Sequence, residues 1–181
     1  TVTFTSASVG GTISGSAAVC SGTNSTTLTL SGNNGSVTKW QSSITADFSG
    51  AVDITNTTTS LTASNITSTT YYRAVVQSGS CDVANSGTAT VTFTAASVGG
   101  TISGSAAVCS GTNSTTLTLS GNTGSITKWQ SATAADFSGA VDIVNTTISL
   151  IASNLTATTY YRAVVQSGSC TVANSGTASI T

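Results

Sequence analysis

The segment TTYYRAVVQSGSC at residues 69–81 has the clearest strand pattern of the chain, and it recurs unchanged at residues 158–170. Tyr72, Ala74 and Val76 alternate with a face that carries Arg73, so the pattern predicts a β-strand whose arginine-free face lies in a core. The Ser-Gly pair after this apolar run is a turn signal. We therefore expect a long strand that ends shortly before Cys81.

This segment belongs to a long internal repeat. Residues 1–89 align with residues 90–178 without a gap, and 77 of the 89 positions are identical. A period of this length is too long for a solenoid coil and suits one complete sandwich domain. The sequence predicts two tandem domains, residues 1–89 and residues 90–181, with a connection so short that we expect a stiff rod cut from a longer array.

The composition favours an all-β fold. The chain has 38 Thr and 32 Ser among 181 residues and contains no His, Met, Pro or Glu. Threonine suits strands, and the usual helix formers are scarce. Period-two alternation predicts that Leu28 and Leu30, and likewise Val52 and Ile54, face the core. Together with regular turn signals it predicts about seven strands per repeat. Val37 and Trp40 are three residues apart, so we expect either a β-bulge between them or a Val37 that packs away from the core.

Charge and hydropathy argue against several classes of partner. The formal net charge is −1, and 38% of the residues are hydrophobic. Such a chain should fold, and it has no basic run that would bind nucleic acid or an anionic membrane. No apolar stretch approaches the roughly 20 residues needed to span a bilayer, and the first residues do not have the pattern of a signal peptide. We expect a monomeric fragment that contacts neighbouring repeats of its own chain.

The four cysteines occupy matching positions in the two copies. Bridges from Cys20 to Cys81 and from Cys109 to Cys170 give one disulfide per repeat and suit an independent unit, although the sequence permits three connectivities. Each bridge would close a loop of roughly 60 residues and contribute about 4 kcal/mol, so reduction should lower the melting temperature. Disulfides also predict an extracellular location. Two thiols per copy are too few for a structural zinc site.

Three motifs together resemble a known family of repeats. They are AAVCSGTN at residues 17–24, KWQSS at residues 39–43 and the stretch at residues 69–81. They are similar to the immunoglobulin-like repeats of giant surface and gliding-motility adhesins of the Bacteroidota, which are exported by the type IX secretion pathway. The resemblance implies a stalk on the bacterial cell surface. The tryptophans and second tyrosines also match the sandwich pattern and are expected in the cores, namely Trp40, Tyr72, Trp129 and Tyr161.

The inventory of reactive groups is small. Without His or Glu, the candidate acids are the pairs Asp47 with Asp53 and Asp136 with Asp142, which we interpret as solvated turn and edge residues. Calcium needs six to eight oxygen ligands, and Asp82 is replaced by Thr171 in the second copy. We therefore expect no catalytic, cofactor or metal site.

Two binding-type hypotheses remain. In the first, the repeats set the length and stiffness of an adhesin stalk. In the second, each copy is a carbohydrate-binding or accessory module that contacts surface polysaccharide through Tyr71 and Tyr160 or through the loop at residues 32–35. A sugar site commonly presents two or three exposed aromatic rings, and most of the aromatic residues here are needed by the cores. The sequence therefore favours the stalk.

Overall fold

The computed structural model of the chain describes residues 4–181, and in that range it contains strands and no helix. The chain divides into two compact units, Thr1–Thr94 and Ala95–Thr181. No helix of the described part is long and apolar enough to cross a membrane. The prediction of an all-β chain with two tandem domains is confirmed.

Short strands separated by turns build the first unit. Nine are described, rather than about seven, because very short pairings also form. They are β1 (Thr12–Ser14), β2 (Ala17–Cys20), β3 (Ser25–Ser31), β4 (Ser36–Ser43), β5 (Val52–Ile54), β6 (Ser60–Ser64), β7 (Thr70–Gln77), β8 (Ala84–Asn85) and β9 (Ala89–Thr94).

These strands form two sheets. The smaller sheet has the order β1-β3-β6, and the larger has the order β2-β9-β7-β4-β5 with β8 also paired to β7. All the pairings are antiparallel except that of β2 with β9, in which Ala17 lies opposite Val91 and Cys20 opposite Thr94. The last strand of the repeat therefore lies between β7 and a parallel neighbour.

The second unit repeats this arrangement with one difference. The segment equivalent to β2 makes a single parallel bridge, from Ala106 to Ile180, instead of a four-residue strand pair. The strands are β10 (Thr101–Ser103), β11 (Ser114–Ser120), β12 (Ser125–Ala132), β13 (Val141–Ile143), β14 (Ser149–Ser153), β15 (Thr159–Gln166), β16 (Ala173–Asn174) and β17 (Ala178–Ile180). The sheets have the orders β10-β11-β14 and β13-β12-β15-β16, with β17 also paired to β15.

Alternating side chains from both sheets form the core of each unit. In β3, Leu28 and Leu30 are buried while the threonines beside them are more accessible. Trp40 has no exposed surface and packs in the same cluster as Tyr72. Trp129 and Tyr161 occupy the equivalent cluster of the second unit. Burying these large apolar side chains between two sheets is the main source of stability in such a domain.

The strand that carries Trp40 contains the expected irregularity. The pairing of β4 with β7 shifts register between Val37 and Lys39, and the same shift occurs between Ile126 and Lys128. The extra residue returns the chain to the core side, so Val37 and Trp40 are both buried. The predicted bulge is therefore confirmed.

One alternation prediction is wrong. Val52 was expected to face the core with Ile54, but Val52 is 64% exposed. It lies in β5, a three-residue strand at the edge of the larger sheet, opposite Ser42. Ile54 lies opposite Trp40 and is the residue of this strand that packs against the core. The strand therefore contributes one core side chain instead of two.

The boundary between the two compact units does not fall at the boundary predicted from the sequence repeat. A period of 89 residues fixes the length of a unit but not where the unit starts. β9 begins at Ala89 and pairs with β7 and β2, so the first unit extends to Thr94. Val98 already pairs with Thr123 in the second unit. Three residues separate the last strand of one unit from the first pairing of the next.

Candidate functional site at the two ends of each repeat

Each repeat places one cysteine at each end of its sandwich. In the first unit, Cys20 ends β2 opposite Thr94, and the amide of Ser21 donates to the carbonyl of Thr94 at 2.9 Å. Here the chain leaves the unit. We call this region, formed by Cys20, Asn24, Ile66 and Thr94, the exit end.

Asn24 ties the exit end together. Its Nδ2 donates to the carbonyls of Cys20 and Ile66, both at 2.9 Å, and its Oδ1 accepts the amide of Ile66 at 2.8 Å. The side chain therefore connects the strand of Cys20 to the loop after β6. Asn113 makes the same bonds to Cys109 and Leu155 in the second unit.

Cys81 lies at the opposite end, just after β7. A turn joins its amide to the carbonyl of Ser78 at 3.0 Å, and its Sγ lies 3.8 Å from the carbonyl oxygen of Thr5 and 3.7 Å from that of Ser6. The chain enters the unit here. We call this region, formed by Thr5, Ser6, Ser78 and Cys81, the entry end.

The predicted bridges within a repeat are not formed. Cys81 and Cys109 are free thiols, whereas Cys20 and Cys170 are each disulfide-bonded. β7 alone has eight residues and spans about 25 Å between the two ends. The Cα atoms of a disulfide lie within about 7 Å of each other, so Cys20 cannot reach Cys81. The prediction of Cys20–Cys81 and Cys109–Cys170 pairs is wrong for this reason.

The second unit has the same geometry. Cys109 lies at its exit end, where the amide of Val108 donates to the carbonyl of Thr181 at 2.7 Å. Cys170 lies at its entry end, with Sγ 3.7 Å from the carbonyl oxygen of Ala95. Cys109 is exposed and Cys170 is buried. Equivalent cysteines therefore differ in both oxidation state and exposure.

The charged residues form a structural network on the outer face of the larger sheet. Lys39 Nζ lies 2.7 Å from Asp53 Oδ2, and Gln41 donates to the other carboxylate oxygen at 2.7 Å. These hydrogen bonds, that of Lys39 first, lower the pKa of Asp53. Arg73 Nε donates to Gln41 Oε1 at 2.8 Å, and its guanidinium lies 4.2 Å from the ring centre of Phe48. The equivalent network is Lys128, Gln130, Phe137, Asp142 and Arg162.

The loop before this face has an unusual backbone conformation. Phe48 has a φ of 59°, a left-handed conformation that costs energy for a non-glycine residue. The amide and hydroxyl of Ser49 donate to Asp47 at 3.0 and 2.8 Å and help to hold the turn. The Ser49 amide, followed by the hydroxyls of Thr45 and Ser49, lowers the pKa of Asp47 to about 2. Asp47 and Asp53 thus have separate hydrogen-bond partners and do not form a carboxylate pair.

The aromatic residues proposed to contact sugar expose little ring surface on which a sugar could stack. Tyr71 and Tyr160 are half-buried, and Trp40 donates from Nε1 to the carbonyl of Thr58 at 2.9 Å inside the core. Burial raises the pKa of Tyr72. In the loop at residues 32–35, Asn34 pairs its backbone with Val9 in both directions at 3.0 Å. Among residues 4–181, no group of three or more His, Cys, Asp or Glu side chains could hold a metal ion.

Solved structures with the same fold are immunoglobulin-like domains. Murine CEACAM1b matches with a TM-score of 0.55 at 10% identity, covering 93% of this chain and 98% of that one. The structure of a mouse coronavirus receptor-binding domain with its murine receptor matches at 0.57 and 12% identity, covering 92% and 96%. A structure of titin domains matches at 0.56 and 14% identity, covering 94% and 65%. Each unit is therefore an immunoglobulin-like β-sandwich.

Sequence comparison defines the family. No curated protein matches the chain. A family model described as a domain of unknown function, DUF8696, matches twice, over residues 9–95 and residues 98–181. Together these matches cover nearly the whole chain, so it consists of two tandem members of the DUF8696 family.

Proposed function

We propose that this chain is a spacer from the stalk of a large extracellular adhesin, exported by the type IX pathway to the surface of a member of the Bacteroidota. There the stalk supports adhesion or gliding. The immunoglobulin-like fold and the disulfide-bonded cysteines support an extracellular structural module. The resemblance of the motifs at residues 17–24, 39–43 and 69–81 supports the bacterial adhesin.

The path of the chain through each unit carries the proposal. The chain enters beside Cys81 and leaves at Thr94, at opposite ends of the larger sheet. The second unit is likewise entered at Ala95, beside Cys170, and left at Thr181. A domain entered at one end and left at the other adds its long dimension, about 25 Å or more, to the length of an array. This topology suits a spacer.

The pairing of the end strands suits mechanical load. β2 and β9 run parallel, with four residues in register from Ala17–Val91 to Cys20–Thr94. A pull that draws β2 towards the entry end and β9 towards the exit end loads their hydrogen bonds together, in shear. Bonds loaded together resist more force than bonds that open one at a time. A stalk would need this resistance.

The carboxylates are held by hydrogen bonds to neighbouring side chains and backbone, which is a structural role. Asp53 is held by Lys39 and Gln41, and Asp47 is held by Ser49. Lowered pKa values keep both carboxylates ionised at neutral pH, so neither is suited to donate a proton as a general acid. The proposal therefore includes no enzymatic activity and no cofactor.

Pulling on single molecules by their two ends tests the spacer role. In reducing buffer, each repeat should unfold in one event that releases about 300 Å of chain, at 3.3–3.6 Å for each of its 89 residues. The first repeat, with the full β2–β9 pair, should withstand more force than the second. Extension with no resolved force peaks would contradict the proposal.

A carbohydrate-binding role is tested separately. The half-buried state of Tyr71 and Tyr160 argues against a stacking platform. We expect the intact chain to give no signal above background on an array of bacterial and plant glycans. Saturable binding that is lost in the double variant Tyr71→Ala and Tyr160→Ala would assign the repeats to recognition instead.

A further inference from the structure

We propose that the outer face of the larger sheet docks an acidic segment of another polypeptide, whose carboxylates pair with Arg73 in the first copy and with Arg162 in the second. Each copy forms its site from its own residues. The proposal goes beyond the spacer role, because a stalk can set length and resist force without binding a partner along its side.

The positive charges of the chain all lie on this face. The sequence has four Lys and Arg residues, two in each copy. Lys39 on β4 and Arg73 on β7 alternate with buried neighbours, so both side chains are on the outer face. Lys128 on β12 and Arg162 on β15 have the same positions in the second copy. A chain with few charges thus places its cations on one surface of each sandwich.

The two cations of a copy differ in whether they have an acidic partner. Lys39 lies 2.7 Å from a carboxylate oxygen of Asp53. The equivalent pair in the second copy, Lys128 and Asp142, has the same distance. Within residues 4–181, neither arginine forms an ion pair, and their hydrogen bonds use only Nε. The Nη nitrogens of both guanidinium groups therefore keep their N–H donors for a ligand.

Each guanidinium is nevertheless held in one orientation. Nε of Arg162 donates to Oε1 of Gln130 at 2.7 Å, and Nε2 of Gln130 donates to Asp142 at 2.8 Å. Cζ of Arg162 lies 4.2 Å from the ring centre of Phe137, which covers one face of the guanidinium. An arginine that is oriented before binding loses less conformational freedom when a carboxylate pairs with its fork of N–H groups. The site is therefore preorganised for a carboxylate.

An open cavity of about 510 Å³ lies beside Arg162, and its size is comparable to that of small-ligand sites. None of the residues that line it is acidic, so the cavity itself holds no competing carboxylate. Val172, which is 57% exposed, adds an aliphatic contact, and Gln166 and Asn174 add amide groups. The first copy has identical residues at all the lining positions.

The lining favours a polypeptide over a sugar as the source of the carboxylate. A sugar site commonly presents exposed aromatic rings, whereas the ring of Phe137 is buried beneath Arg162. An extended peptide presents every second side chain to the surface on which it lies. Acidic side chains at that spacing can pair with Arg162 while their methylene groups contact Val172. The partner is therefore an extended segment with acidic residues at alternate positions.

NMR titration of the full chain tests the site directly, because the chain contains two arginines and each gives its own Nε–Hε signal. The probe is an end-capped octapeptide that alternates Asp with Thr, and the control peptide alternates Asn with Thr. The Asp peptide should shift both arginine signals to saturation, with an affinity at least tenfold higher than that of the Asn peptide. Added salt should weaken this binding. No shift, or equal affinity for the two peptides, would overturn the proposal.

Lysine variants make each copy the control for the other. Arg162→Lys keeps the charge but loses the fork, so the Asp peptide should bind the second copy at least tenfold more weakly. The Arg73 signal should titrate as before, and Arg73→Lys should give the reverse result. Backbone amide signals around the cavity report on the substituted copy. Unchanged affinity there would show that charge alone attracts the peptide, which would contradict the role of the guanidinium.

A titration with trigalacturonate separates the two sources of carboxylate. The Asp peptide should bind at least tenfold more tightly than this acidic sugar. Tighter binding of the sugar would overturn the assignment of the partner to a polypeptide. The pulling experiment contains no peptide, so a chain that resists force but does not bind the Asp peptide keeps the spacer role and loses the docking site alone.

Discussion

The two copies differ far more in their cysteines than in their sequences. They share 77 of 89 residues, the same sheets and the same core. Nevertheless Cys20 is bonded where Cys109 is a thiol, and the four-residue β2–β9 pair of the first copy is a single bridge in the second. The two cores are therefore built alike from nearly the same sequence, whereas the cysteines and the end strand of the two copies differ.

The largest effect is expected from a substitution that destabilises the core of one copy and leaves the core of the other intact. Trp40→Ala removes a fully buried side chain and should cost about 3–5 kcal/mol. Calorimetry in reducing buffer should then show two transitions, with that of the first copy much lower. Trp129→Ala is the matched variant and should lower the transition temperature of the second copy by a similar amount. A single shared transition in both variants would show that the two cores do not unfold independently.

The next largest effect is the difference in melting temperature between removing a disulfide-bonded cysteine and removing a free one. Cys20→Ser removes a disulfide and should cost about 2–4 kcal/mol, which lowers a melting temperature by roughly 10 °C or more. Cys81→Ser removes a free thiol and should leave the melting temperature unchanged in oxidising buffer. Reduction of the wild-type chain should reproduce the Cys20→Ser value. Equal effects from both substitutions would mean that the two positions do not differ in solution.

The strands could be predicted because their physical signals are local. In β7, Tyr72, Ala74 and Val76 are buried as the alternation predicts, and Val75 on the opposite face is buried as well. The bulge could be predicted from the three-residue spacing of Val37 and Trp40. Both features follow from the fixed two-residue period of a strand against one buried face.

The cysteine partners could not be predicted from such signals. Two cysteines per copy suggest a pair within the copy, but the pairing depends on which end of the sandwich each one occupies. That depends on the parallel direction of β2 beside β9, a tertiary property with no local pattern. The left-handed Phe48 beneath Arg73 was also missed, because only glycine signals such a conformation in sequence. For the cysteines, the available clue in the sequence was the position of Cys81 shortly after the strand β7.

A smaller effect tests the clamp that both exit ends share. Asn24→Ala removes hydrogen bonds to Cys20 and Ile66 and should cost about 2 kcal/mol, because backbone groups at this end lose their partner. Asn113→Ala should have a similar cost in the second copy. Chemical denaturation of each variant provides the comparison. A cost below about 0.5 kcal/mol in both copies would show that water replaces the amide there.

The smallest effect concerns the loop in which the copies naturally differ. Thr45 and its neighbour Ser49 help to lower the pKa of Asp47 to about 2, whereas Ala134 occupies the position of Thr45 in the second copy. The pKa of Asp136 is also lowered, by Ser138. Thr45→Ala should raise the pKa of Asp47 towards that of Asp136, measured by NMR titration of the side-chain carboxyl carbons.

The sign of the linked stability comes from the direction of the shift. A carboxylate whose pKa is lower in the folded state stabilises the fold above its unfolded pKa of about 4, and this contribution is lost as the pH falls through the folded value. Thr45→Ala should therefore make this contribution smaller in the first copy, and its loss should be complete at a higher pH than in the unsubstituted chain. Ala134→Thr should shift the second copy in the opposite direction. Unchanged titration of Asp47 in Thr45→Ala would leave the Ser49 amide and hydroxyl as the cause of the low pKa.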